Sequence, residues 1–396
     1  MESAASKSAQ LTANAAEDLP GGALQAKLEL AEKEGRQLRI KLGLDPTAPD
    51  IHLGHTVVLM KLREFQDQGH RVVLIVGDYT ARVGDPSGRS ETRPLLTAEE
   101  IAANAASYEA QAGRILDQDP ERYELRFNSE WLDMPTTDLL ALVRTTTVAQ
   151  LLEREDFATR YKSGSPISVL ELLYPLMQGY DSVAIESDVE IGGTDQTFNI
   201  LLGRDIQRHY GMAEQAVMTM PILVGIDGTE KMSKTKGNEI AIGASADEIF
   251  GRTMRLPDQA VASWFDLLVI PHPPEATGPR DVKVTLAKAI VERFHDAAAA
   301  DRAEAQFVSQ FVEHEVPDEI ETFAFDGSGG SVHLPMALAD AFEISRSQAR
   351  RLVEQGGVKV DGNVIDSGKL DVSAELLSGA VVQIGRRRFK RFEQKR

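Results

Sequence analysis

His52 and His55 stand three residues apart with Gly54 between them, and Pro46 and Pro49 lie just upstream. An apolar run, Leu38 to Leu44, precedes them, and apolar residues at helical spacing, Thr56 to Phe65, follow. That context puts both imidazoles on one side of a helix's first turn. The unpaired N–H groups and the dipole of such a turn attract an anion. Gly54 lets a flat or phosphorylated ligand approach the backbone. A phosphate site is one reading of this pair; a metal site or two solvated histidines are others. Zinc would need a third ligand, and the chain has no Cys to supply it.

Four further stretches carry side chains that could do chemistry. Gly84-Asp85-Pro86-Ser87-Gly88 is turn chemistry, with Arg89 and Arg93 close behind. Asp85 could hold an ammonium there, and the arginines could meet phosphate. Tyr174, Gln178 and Asp181 fall on one helical face, a polar stripe that suits either a specificity pocket or solvent. Gly192-Gly193-Thr194-Asp195-Gln196 could bring a sugar close to backbone, with a carboxylate on its hydroxyls. Lys231, Lys234 and Lys236 sit in a stretch bracketed by Gly225, Gly228 and Gly237, a cationic loop able to close over a polyphosphate.

The elements that must position these groups follow from periodicity. Short apolar runs at 72–76, 123–127, 189–191 and 217–224 read as buried strands, and 97–116, 168–180 and 194–210 as helices. Such alternation means βαβ units and a Rossmann-like, mostly parallel sheet, an α/β fold whose ligands bind beyond the carboxyl ends of the strands. From Ala246 to Val312 the pattern is helical. The domains expected are an N-terminal lead-in (1–37), the α/β domain (38–240), a helical domain (241–326), a linker (327–333) and a small C-terminal α+β module (334–396). The lead-in's first twenty residues, Met1 to Pro20, are Ala-rich, lack the basic start and apolar run of a secretory signal, and are expected to fray.

Composition is that of a globular chain, with 396 residues and no Cys, which fits a reducing compartment. No apolar run reaches membrane-spanning length. Net charge is −18, yet residues 334–396 carry 12 Lys and Arg against 8 Asp and Glu. A basic module is therefore attached to an acidic body. Its stretch Ser345 to Gly362 reads as a basic helix, a Gly-Gly cap and a strand with a turn.

His-Leu-Gly-His at 52–55 and Lys-Met-Ser-Lys-Thr at 231–235 resemble the two signatures of class I aminoacyl-tRNA synthetases, usually written HIGH and KMSKS. Within that class, Leu-Asp-Pro-Thr-Ala at 44–48, Gly-Asp-Pro-Ser-Gly, Gln-Gly-Tyr-Asp at 178–181 and Ile-Gly-Gly-Thr-Asp-Gln at 191–196 are similar to the bacterial tyrosyl-tRNA synthetases. The C-terminal module is similar to the S-four-type RNA-binding module that ends those enzymes. The resemblance runs from about Leu38 to the C-terminus.

The resemblance implies an ATP-dependent ligase that joins tyrosine to tRNA(Tyr), a cytoplasmic homodimer free of membranes. It needs ATP as substrate, accompanied by Mg2+, and no tightly bound cofactor. It assigns Thr47 and His52 to the departing phosphates, with Lys231, Lys234 and Thr235 closing over them. It places His55 and Gly54 on the ribose and adenine side, Gly193 and Asp195 at the ribose hydroxyls, and Asp45 on the same wall. It gives Asp85, Tyr174 and Gln178 to the amino-acid ammonium and Asp181 to the phenol. It assigns RNA phosphates to Arg346, Arg350, Arg351 and Lys359, and residues 241–326 to tRNA and its anticodon. One position departs: many such enzymes have a Tyr against the phenol where this chain has Lys41, whose long side chain is expected along the pocket rim.

Overall fold

Val, Ile and Leu fill the strands of the α/β part because parallel strands are covered on both faces. The computed structural model describes residues 2–86, 97–311, 320–366, 368–385 and 388–395. Two compact units emerge, Met1–Ala300 and Asp301–Arg396. The first opens with α1 (Ala4–Thr12), β1 (Glu17–Leu19), α2 (Ala23–Glu34), β2 (Arg39–Leu44), α3 (Leu53–Asp67), β3 (Arg71–Val76), α4 (Ala98–Ala112) and β4 (Tyr123–Phe127). Four helices follow, α5 (Ser129–Leu132), α6 (Thr136–Val143), α7 (Val148–Leu151) and α8 (Glu155–Ser163), then α9 (Val169–Ala184), β5 (Val189–Gly193), α10 (Thr197–His209) and β6 (Ala216–Met220). Helices α11 (Ala246–Thr253), α12 (Asp258–Leu267) and α13 (Pro279–Phe294) come next, and α14 (Ala297–Phe311) runs across the boundary into the second unit.

The six-stranded sheet has the order β1-β6-β5-β2-β3-β4, parallel except for β1. The chain runs outward from β2 through β3 to β4, then returns to the other side of β2 for β5 and β6. The crevice beyond the carboxyl ends of β2 and β5 is thus the switch point, where such sheets bind ligands. Strand β6 stops at Met220 and not near Val224, because Pro221 has no N–H to continue the ladder.

The N-terminal segment is not a frayed lead-in. β1 pairs antiparallel with β6, and Leu11, Leu24, Leu28 and Ala31 are buried. Its leucines form an apolar face that the alanine-rich composition hides.

The second unit contains β7 (Thr322–Phe325), β8 (Ser331–His333), α15 (Leu334–Phe342), α16 (Arg346–Glu354), β9 (Val358–Val360), β10 (Asn363–Val364), β11 (Asp371–Ser373), α17 (Ala374–Leu377), β12 (Val381–Ile384) and β13 (Arg388–Gln394). Its main sheet has the order β10-β9-β12-β13-β7, over a core that includes Leu338, Phe342, Val353, Val382 and Phe392. Residues 327–333, expected as a linker, form a turn closed by Gly330 N–H to the Gly327 carbonyl at 3.0 Å and the strand β8, paired with β11. The unit begins upstream of the glycines because β7 is an integral strand beside β13.

Candidate active site

The first turn of α3 is closed by the two histidines themselves. Gly54 N–H donates to His52 Nδ1 at 3.1 Å, and His52 N–H donates to His55 Nδ1 at 3.2 Å. Both Nδ1 atoms accept, so each neutral ring carries its proton on Nε2. Burial, with His55, Lys231 and Lys234 adding repulsion, pushes His52 down to about 2. Burial and then Lys231 hold His55 at about 4. Both rings are therefore neutral donors at physiological pH. Gly54 is required sterically: a Cβ there would lie 2.9 Å from His52 Cε1.

The lysine loop lies beside this turn. Met232 is buried, and its Cβ stands 3.6 Å from where a Gly54 Cβ would be. His52 bridges Ala241, just past the loop, in antiparallel fashion. Asp227 accepts the N–H groups of Thr229 and Glu230 at 2.8 Å each, and these bonds hold its carboxyl down at about 2. Ser233 N–H donates to Asn238 Oδ1 at 2.8 Å. The loop's ends are thus fixed while its cations face outward. Lys231 pairs with Asp195 at 2.5 Å and Lys234 with Asp50 at 2.6 Å; Thr235 is exposed. Pairs this exposed are each worth at most about 1 kcal/mol, so polyphosphate can take over the lysines at little cost.

On the other side of the crevice, Tyr174 O–H donates to Asp45 Oδ2 at 2.9 Å, and Thr80 O–H donates to Asp45 Oδ1 at 2.7 Å. Asp45 therefore stands with Tyr174, and Thr47 follows it in a tight turn, its N–H on the Asp45 carbonyl at 2.7 Å. Burial, then Asp45 and Asp85, push the Tyr174 phenol well up. Asp85 accepts from Gln196 Nε2 at 2.9 Å and pairs with buried Arg154 at 3.3 Å. Arg154 also donates to Asn199 Oδ1 at 2.9 Å, and Asn199 Nδ2 donates to Gln178 Oε1 at 2.9 Å. Asp181, 3% exposed, accepts Trp131 Nε1–H at 2.8 Å. Burial pushes its carboxyl up to about 7, against the pull of Lys41 and Trp131. Gly193 lies at the end of β5, and a Cβ there would meet Asp195 Oδ1 at 2.6 Å.

Contacts join the first-unit candidates in groups near the carboxyl ends of β2 and β5: Lys231 with Asp195, Tyr174 with Asp45, and Asp85 with Gln178 by way of Arg154 and Asn199. Arg89 and Arg93 lie outside the described residues. Lys41 is not at a rim: it is wholly buried and paired with Glu190 at 2.9 Å, because its neighbour on β5 is a carboxylate. Sequence reading also passed over Asp50, Arg154, Trp131 and Asn199. None lies in a signature; only the rarity of Trp, with two in the chain, offered a cue.

In the second unit, α16 buries Ala349 and Val353 and leaves Arg346, Arg350 and Arg351 exposed, with Arg350 on Glu354 at 2.9 Å. Lys359 is half-buried on β9. An amphipathic helix with three outward guanidinium groups suits a phosphate backbone.

The family model for tRNA synthetases class I (W and Y) matches residues 33–312, so the chain belongs to that family. A model for the S4 domain matches residues 334–376. The relatives sharpen this. A Tyrosine--tRNA ligase of Bordetella avium is 48% identical over 376 residues, covering 92% of this chain and 90% of its own. One of Thermotoga maritima is 49% identical, covering 92% of each. The solved tyrosyl-tRNA synthetase of Archaeoglobus fulgidus, complexed with L-tyrosine, superposes with a TM-score of 0.63 at 24% identity, over 76% of this chain and 99% of that one, and supports the fold. No described helix is long and apolar enough to cross a membrane.

Proposed function

We propose that this chain activates L-tyrosine with ATP to tyrosyl-adenylate and pyrophosphate, then transfers the tyrosyl group to the 3′-terminal ribose of tRNA(Tyr). The observation that carries the reading is the meeting of three elements at the switch point: neutral His52 and His55, the lysine loop, and the polar face of α9. In the first step a tyrosine carboxylate oxygen bonds to the α-phosphorus, and the bond to the leaving pyrophosphate breaks. Negative charge grows on the β- and γ-phosphates. His52 Nε2–H and the Thr47 hydroxyl donate to them, while Lys231, Lys234 and Thr235 close over them.

Gly54 and His55 take the ribose and adenine side, and Asp195, released by Lys231, takes the ribose hydroxyls, with Gly193 giving the close approach. Asp45 orients Tyr174, and Asp85, Tyr174 and Gln178 receive the ammonium. Asp181 accepts the phenol O–H. No covalent enzyme intermediate is needed, and catalysis is positioning plus charge stabilisation. Among the described residues no group of three His, Asp or Glu could hold a metal. Mg2+ enters as the counter-ion of ATP. Arg346, Arg350, Arg351 and Lys359 hold tRNA, helices α11 to α14 also take part in tRNA binding, and the chain works as a cytoplasmic homodimer.

Amino-acid-dependent ATP–pyrophosphate exchange with each of the twenty amino acids tests the reading. Tyrosine alone should support fast exchange, and only tRNA(Tyr) should then be charged. Exchange driven by tryptophan in preference to tyrosine would overturn it.

A further inference from the structure

Lys41 and Glu190 are register neighbours on β2 and β5, the two strands that flank the switch point, and they are 0% and 2% exposed. Every proton of the Lys41 ammonium has a partner: Glu190 Oε1 at 2.9 Å, the Gln178 carbonyl at 2.8 Å and Ser182 Oγ at 2.8 Å. Glu190 Oε2 accepts from Ser182 Oγ at 3.0 Å and Gln215 Nε2 at 2.5 Å. Its Oε1 also accepts from Gln178 Nε2 at 3.4 Å. Gly203 of α10 makes the room, since a Cβ there would stand 3.0 Å from Gln215 Nε2 and 3.3 Å from Ser182 Oγ.

Stability does not explain a pair so deep. Replacing a buried ion pair with apolar side chains of similar volume is often neutral or stabilising. Its connections run instead to the candidate tyrosine pocket. An amide has a donor end and an acceptor end, and can turn over unless its neighbours forbid it. Two ions forbid it here. Arg154 can only donate, so it takes Asn199 Oδ1 and turns Asn199 Nδ2 towards Gln178 Oε1 and Gln196 Oε1, at 2.9 and 3.0 Å. Glu190 can only accept, so it takes Gln178 Nε2. The Gln178 amide is polarised from both ends.

We propose that Lys41 and Glu190 are positioning residues for amino-acid recognition, locking Gln178 so that its carbonyl oxygen faces the substrate's ammonium. The proposal rests on the reading of this site as a tyrosine-activating one. Lys41 ties the Gln178 main chain to Glu190 and so sets how deep that part of α9 sits. Glu190 sets which end of the amide is presented.

The test uses the full chain with Lys41→Met/Glu190→Met, which removes both charges and strands neither. Binding of tyrosine and of its des-amino analogue, 3-(4-hydroxyphenyl)propionate, is measured by titration, beside KM for ATP and the melting temperature. Wild type should favour tyrosine over the analogue, and the double variant should lose about tenfold of that preference, the scale of one hydrogen bond to a charged group. KM for ATP and the melting temperature should hold. Lys41→Gln/Glu190→Gln carries the same expectation if methionines are not accommodated. An unchanged preference in a folded double variant would overturn the proposal while tyrosine-dependent exchange stood. Wild type with no such exchange would overturn both readings.

Discussion

Asp181 is a carboxylate placed where water barely reaches, and its protonation should be visible in the reaction. Burial holds its pKa up at about 7, while both active-site histidines lie lower, at about 2 and 4. A phenol O–H donates more strongly to a carboxylate than to a neutral acid. kcat/KM for tyrosine, which reports groups of the free enzyme, should therefore rise between about pH 6 and 8. Asp181→Asn should abolish that rise, along with most of the preference for tyrosine over phenylalanine; a rise that survives would assign it to another group. The same shift acts on stability with opposite sense. The folded carboxyl keeps its proton to about 7, and the unfolded one releases it near the ordinary aspartate value of 3.8. Its stabilising contribution is present below the lower value and is lost as pH rises through the upper. Asp181→Asn should accordingly gain in melting temperature on wild type between about pH 5 and 8. Asp181 was legible as a site candidate from its helical phase with Tyr174 and Gln178. Its Trp131 partner was not, because residues 131 and 181 meet only through the fold.

Strands announced themselves by apolar runs, and β3 and β4 lie within a residue of where periodicity puts them. The parallel sheet and its switch point were readable for that reason. The N-terminal segment misled because alanine dilutes its pattern. α1 and α2 each present few large side chains, and β1 is three residues long. Its anchoring is tertiary: Leu11 is fully buried, and buried Lys61 donates to the Leu11 carbonyl at 2.8 Å. Glu17 accepts from Thr219 and from Thr197, at 2.9 Å each, beside the Asp195 turn. A chain starting at Gly22 should thus melt lower by roughly 5 °C or more, since burying one leucine alone is worth about 1.5–3 kcal/mol. It should also aggregate, because β6 is buried along its whole length and would become a bare edge. Thermal denaturation by circular dichroism checks this, and an unchanged midpoint would restore the view of a frayed leader.

Charge sets the last stretch of the chain apart. Residues 334–396 have a net charge of +4 within a chain of −18, so the remainder repels a polyanion. Chemistry and tRNA capture are separable on that ground: every residue placed in the crevice precedes Ala300, and the exposed arginines of α16 follow it. Composition located the basic module but set its start at the glycines, since a Gly-Ser stretch looks the same as a linker or as a turn between strands. The experimental cut therefore belongs upstream of β7, which a chain ending at Gly330 would leave without its partner β13. A chain ending at Phe311 keeps α14 whole and the crevice intact. It should show tyrosine-dependent exchange close to that of the full chain. Charging of tRNA(Tyr) should fall steeply at physiological salt and recover in part at low salt, where weak phosphate contacts suffice. The shortened chain has none of Arg346, Arg350, Arg351 and Lys359 to neutralise phosphates, so its slope of log affinity against log salt should be shallower by about 3. Filter binding across a salt series, run beside exchange and charging assays, reads all three quantities. Normal charging by the shortened chain at physiological salt, with an unaltered slope, would move tRNA recognition onto the first unit.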